Sequence, residues 1–93
     1  MIKSFSDKLT EELFNRVRIR KLPQAILRTA HRKLLLIDAA ERLDDLRIPP
    51  GNRLEKLSGR LAEKYSIRIN DQWRIIFNWE DNNAYNVEIT DYH

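Results

Sequence analysis

The residues with the most chemistry to offer stand at the end of the chain. His93, one of two histidines in the 93 residues, follows Asp91 and Tyr92 in "ITDYH". Histidine titrates near neutral pH and moves a proton in either direction. As the terminal residue, His93 is expected to share its position with a carboxylate, which favours the protonated ring and suits a general acid as well as a base. Composition alone reads the same cluster more readily as a polar, solvent-exposed chain end.

A second group lies in "NDQWRIIFNW". Strand alternation there places Trp73, Ile75, Phe77 and Trp79 on one face and Arg74, Ile76 and Asn78 on the other. Arg68, in "YSIRI", falls opposite Ile67 and Ile69. The face turned away from the core is therefore expected to present Arg68 and Arg74 on adjacent strands. Their rigid guanidinium forks match a phosphate, whose charge would relieve their repulsion. The competing reading is an ordinary exposed sheet face with two arginines. The same parity sets a problem: Asp91 and His93 share the side of Val87 and Ile89, whereas Glu88, Thr90 and Tyr92 share that of Arg74. For His93 to work with Arg74, the last strand must end or twist near Asp91, or the site must sit at the sheet edge.

The elements that hold these groups follow from periodicity. Residues 2–5 read as a short strand, with Ser6 or Asp7 capping a helix marked by Leu9, Leu13, Phe14 and Val17. Pro23 suits the first turn of a second helix. Its buried stripe is Ile26, Ala30, Leu34, Ile37 and Ala40, flanked by Leu27 and Leu43, and its end is expected near Leu43 or Asp45. "PPGN" at 49–52 must be a loop. Residues 54–57 form a short strand before a Ser58-Gly59 turn. Strands at 65–69, 73–79 and 85–91, separated by Asn70-Asp71 and Asp81-Asn82-Asn83, make an antiparallel meander. The expectation is one α+β domain over 1–93, with two N-terminal helices packed on one face of a small, mainly antiparallel twisted sheet.

Composition sharpens this. The chain has no cysteine, which excludes a disulfide scaffold, a thiolate zinc site and a cysteine nucleophile. The longest apolar run is 34–37, far short of the roughly 20 residues of a membrane span. With no signal-like opening segment, the expected location is cytoplasmic, with no membrane partner. Residues 1–74 hold all 17 Lys and Arg, net +7, and residues 75–93 hold four acids and no base, net −4. Seven bases and no acid fall within 14–33, so a polyanionic partner is as good a reading as a solvated helix face. His31 reads as structural or surface, and two histidines without cysteine make a zinc site improbable. The two glycines cannot build a nucleotide-binding loop, and no serine sits in a nucleophile elbow. Trp73, Phe77 and Trp79 could stack bases, but at core-facing positions they read as packing.

Taken together, "MIKSF", "PPGNRLEKLSG", "SIRINDQWRIIF" and "VEITDYH" resemble the HigB-type toxins of the RelE-like group, over the whole of 1–93 and in the expected order. The resemblance implies a RelE-like fold and a ribosome-dependent endoribonuclease that cuts mRNA in the A site of the 70S ribosome. It implies a HigA-like helix-turn-helix antitoxin, with DNA engaged only through the antitoxin complex. It also assigns activity to Asp91, Tyr92, His93 and Arg74. On that footing, the ribose 2′-hydroxyl attacks the adjacent phosphorus, so neither metal nor cofactor is called for. His93 is the acid/base group and Arg74 the phosphate clamp. Asp91 orients His93 or the RNA, and Tyr92 stacks on a base or assists proton transfer. Lys56, Arg68, Arg53 and Arg60 are further RNA contacts. Some relatives carry lysine where Ser58 precedes Gly59, which implies a weaker enzyme here unless Lys56 compensates. The rival readings are a non-catalytic RNA- or ribosome-binding module on the same basic face, and an interaction protein whose "RVRIRK" segment docks an acidic antitoxin segment.

Overall fold

Alternation of β-branched and aromatic residues with polar ones builds the second half of the chain as strands. The computed structural model describes residues 1–16, 22–59 and 63–91. Helices α1 (Lys8–Phe14) and α2 (Gln24–Ala39) precede strands β1 (Glu55–Lys56), β2 (Lys64–Arg68), β3 (Trp73–Glu80) and β4 (Asn83–Asp91). The strands form one sheet in the order β1-β2-β3-β4, every pair antiparallel. The residues from Met1 to Ser6 run parallel to β4 along its outer edge, bridging at Ile2–Ala84 and Phe5–Val87.

Both helices cover one sheet face. Ile67, Ile75, Phe77, Val87 and Ile89 from the sheet pack with Leu13, Ile26, Ala30, Leu34 and Ile37 from the helices. The stripe expected on the second helix is buried, including Ala40 just past the end of α2, and Lys33 is buried beside it. Asp7 caps α1, its carboxylate accepting from Thr10 N at 2.9 Å. Thr10, fully buried, then accepts from Ile89 N at 3.0 Å and so ties α1 to the end of β4.

Three expectations on element length change. Helix α2 stops at Ala39, short of Leu43. The Asp45 carboxylate takes the N–H groups of Glu41 and Arg42 at 3.0 Å each, offering the backbone an alternative to the helical ladder. A short 3₁₀ turn, Leu43–Arg47, follows and buries Leu46. The strand at 54–57 shortens to Glu55–Lys56, because Arg53 adopts the left-handed conformation just before it (φ 46°, ψ 57°). The segment at 2–5 makes two separate bridges instead of a continuous strand. Its interruption coincides with a bulge in β4, where Asn86 (φ 53°) and Val87 together oppose Phe77. Ser4 Oγ accepts from Asn86 N at 2.8 Å and Ser6 Oγ donates to Asn86 O at 2.9 Å, so the bulged residue is held by the segment it interrupts.

Candidate active site

The bulge sets the parity of the first part of β4. Without it, Tyr85 would join Val87 in the core; with it, Ala84 is buried instead and Tyr85 turns away, while Glu88 and Thr90 fall on the face opposite Val87 and Ile89 as plain alternation requires. There the register sets Arg68, Arg74 and Thr90 side by side across β2, β3 and β4. The next row holds Glu55, Ser66, Ile76 and Glu88. The expected arginine pair is thus present, in direct cross-strand register.

The surface around Arg74 is less open than expected. Arg74 is only 8% exposed, and neighbouring Ser66 and Ile76 are buried. Arg74 reaches diagonally over β2: Nη1 donates to Ser66 Oγ at 2.9 Å and Nη2 lies 3.6 Å from Glu55 Oε1. Burial and two anchors restrict its rotamers, so the fork is pre-aimed. Glu55 is the softer partner: its side chain is 48% exposed, so its carboxylate can exchange Arg74 for water or a ligand at little cost. The pair places a cation and a half-exposed proton acceptor side by side. Sequence reasoning missed both anchors. Ser66 was legible in part, two residues before Arg68 and on the same strand face. Glu55 was not, since only the β1–β2 register brings it to Arg74.

The remaining predicted residues separate into groups. Asp91 pairs across from Trp73 at the exposed end of β4 and accepts from Gln72 Nε2 at 3.1 Å. It is therefore on the row beside Arg74, but with the parity of the helix-covered face. Arg68 is partly exposed and forms an ion pair with Asp71. Arg53, exposed, precedes β1 at the end of the sheet where β2 terminates in Arg68. Lys56 goes elsewhere: it pairs with Tyr65, which pairs with Phe77, so alternation turns it to the face opposite Arg74. It lines a cleft of about 420 Å³ with Glu63, Tyr65, Asn78, Trp79 and Glu80. Ser58 is exposed beside Gly59, whose φ of 67° marks the turn. Arg60, Tyr92 and His93 lie outside the described residues, as does most of the basic "RVRIRK" segment.

Phe77 is fully buried, and Trp73 and Trp79 pack partly buried against the core, as their packing reading expected. His31 is partly buried, and its Nε2 has no hydrogen-bond partner among the described residues. Among the described residues no group of three His, Cys, Asp or Glu could hold a metal ion, and no helix is long and apolar enough to cross a membrane.

The fold recurs in the YoeB toxin of Staphylococcus aureus. In its heterotetrameric complex with YefM the toxin matches all of this chain and 98% of its own, at 22% identity and a TM-score of 0.61. The YoeB dimer gives a TM-score of 0.58 at 23% identity, over 99% and 97% of the two chains. At the level of sequence, Toxin HigB-1 of Vibrio cholerae serotype O1 is 46% identical over 88 residues, which are 94% of this chain and 93% of that protein. The model of the HigB-like toxin family, described as the RelE-like toxin of type II toxin–antitoxin system HigB, matches residues 3–93. With that match spanning nearly the whole chain, and with the RelE-like architecture beneath it, this protein belongs to the HigB-like family of type II toxin–antitoxin toxins.

Proposed function

We propose that the chain is a ribosome-dependent mRNA endoribonuclease, the toxin half of its toxin–antitoxin pair, working as one domain over 1–93. The observation that carries this reading is Arg74, a nearly buried guanidinium fixed by Ser66 and Glu55 on a sheet face shared with Arg68. In the reaction, the 2′-oxygen of one ribose forms a bond to the adjacent phosphorus and the P–O5′ bond breaks. The products are a 2′,3′-cyclic phosphate and a 5′-hydroxyl. The nucleophile comes from the RNA itself, so the step requires no metal. Arg74 neutralises the charge that accumulates on the phosphorane oxygens. Glu55 is suited to take the 2′-hydroxyl proton. His93 is assigned to protonate the departing O5′, with Asp91 orienting it and Tyr92 stacking on a base or aiding proton transfer. Arg68, Arg53 and Arg60 bind flanking phosphates; Lys56, on the other face, serves a more distant part of the strand.

Removing Arg74 or His93 by alanine substitution should abolish new mRNA ends in cells while the protein still accumulates. Unchanged cleavage in both variants would remove the assignment. The Ser58→Lys variant should cut faster and inhibit growth more strongly than the native chain; equal rates would show that Ser58 does not limit activity. The partner that fits the family is a HigA-like helix-turn-helix antitoxin that brings the complex to DNA, and the site of action is the cytoplasm.

A further inference from the structure

Lys33 is used by none of these steps, yet its setting is unusual for a lysine. It lies on α2 and is 6% exposed, with its Nζ donating to the side-chain oxygen of Asn52. Asn52 is itself fully buried. Its amide nitrogen donates to Leu46 O at 3.1 Å and Ile48 O at 3.3 Å. The amide is therefore fixed with its oxygen toward Lys33, and as a neutral acceptor it cannot cancel the ammonium charge. Among the described residues, the charges that disfavour its ammonium are those of Arg32 and Arg68, both positive. Burial foremost, then Arg32 and Arg68, hold its pKa below the usual lysine value. A buried ammonium facing like charges is unfavourable until an anion completes the group.

The surroundings put that anion near the cleavage face. Asn52 is followed directly by Arg53, whose left-handed backbone is held by its N–H bond to Pro50 O at 3.1 Å. The same buried amide thus anchors Lys33 and the start of Arg53. Arg68 closes the end of β2 there and stands in register with Arg74. Cross-strand neighbours are about 5 Å apart, so a strand seated on Arg74 has its next phosphates within reach of this cluster. Among the described residues, the acids paired with this group and its neighbour are Asp71 on Arg68 and Glu55 on Arg74, fewer than the bases gathered there.

We propose that Lys33, with Arg32, Arg53 and Arg68 around the Asn52 anchor, forms a second phosphate-binding subsite that seats an RNA phosphate beyond the scissile one. This rests on the ribonuclease reading for the identity of the polyanion. In it, Arg32, Arg53 and Arg68 touch the phosphate, and Lys33 supplies field from beneath.

The test uses the full chain and a single-stranded RNA with every 2′-oxygen methylated, which cannot be cut, so binding is read apart from cleavage. Affinity is measured over a range of salt for the native chain, Lys33→Met and Arg32→Gln. Arg32 is exposed, so its variant keeps the fold should Lys33→Met lose it. Each variant should bind about tenfold more weakly at low salt, and the slope of log affinity against log salt should flatten by about 0.7 for each phosphate no longer neutralised. Unchanged slopes in both variants, or no salt-dependent binding by the native chain, would overturn the subsite. So would a loss seen only toward an acidic polypeptide such as polyglutamate. Failure of the ribonuclease reading would show separately, as absent cleavage with these binding effects intact.

Discussion

Arg74 is held so closely that its replacement by lysine should not be conservative. A lysine ammonium is a point charge and cannot hold Ser66 and Glu55 while presenting two parallel donors to a phosphate. The Arg74→Lys variant should lose about 10²–10³-fold in cleavage rate with little change in urea unfolding midpoint; near-native cleavage would show that only charge matters there. Lys33 makes a prediction of another kind. Its folded pKa lies below its usual 10.5, chiefly through desolvation and then through Arg32 and Arg68. The unfolded chain therefore binds the proton more tightly, and the penalty is complete below the folded pKa. It is relieved as pH rises through that value toward 10.5. In urea titrations the native chain should gain stability relative to Lys33→Met between pH 7 and pH 10. A constant difference would mean that the folded protein does not disfavour charged Lys33.

The element that reshapes β4 most is the bulge at Asn86. It reverses the parity of the strand before Val87, burying Ala84 and turning Tyr85 toward the face of the arginines, while Glu88 and Thr90 keep the side that alternation gives them. Asparagine tolerates the left-handed backbone and also donates to Asn78 Oδ1 at 3.0 Å. The Asn86→Ala variant should cost about 1–2 kcal/mol in chemical denaturation, with Asn86→Gly recovering the backbone part; equal losses would place the effect in the side-chain bond alone. Thr10 works at the same strand. The Thr10→Val substitution strands the Ile89 N–H and should cost about 1–3 kcal/mol, while Thr10→Ser should be tolerated. Equal stability of the two variants would dismiss that bond as a tie.

Periodicity accounts for part of this architecture. The helix stripe of Ile26, Ala30, Leu34 and Ile37, the three long strands, their antiparallel order and the shared face of Arg68 and Arg74 follow from spacing alone. Spacing could not foresee that Asp45 would divert the chain out of α2, since that depends on a local side-chain bond competing with the helix. Nor could it show the burial of Arg74 or its hold on Glu55, which arise from strand register. The opposite facing of Lys56 has the same origin. The terminal Asp-Tyr-His is assigned chemistry by family resemblance alone, and its composition by itself favoured an exposed end.

At the scale of the whole molecule, charge is divided between a basic body and an acidic end. With +7 over residues 1–74 and −4 over 75–93, association with a ribosome or RNA should weaken steeply as salt rises. The arginine row across the sheet and the buried Lys33 below its end give that charge a focus, and Glu55 beside Arg74 supplies a proton acceptor within it. The central claim is that this face cuts RNA by internal attack of the 2′-hydroxyl. The most direct measurement is to add the purified chain to ribosomes programmed with a defined mRNA and identify the chemistry of the new 3′ ends. The account predicts breaks in the A-site codon that end in 2′,3′-cyclic phosphate and vanish with Arg74→Ala. No new ends, or ends bearing a free 3′-hydroxyl, would contradict it.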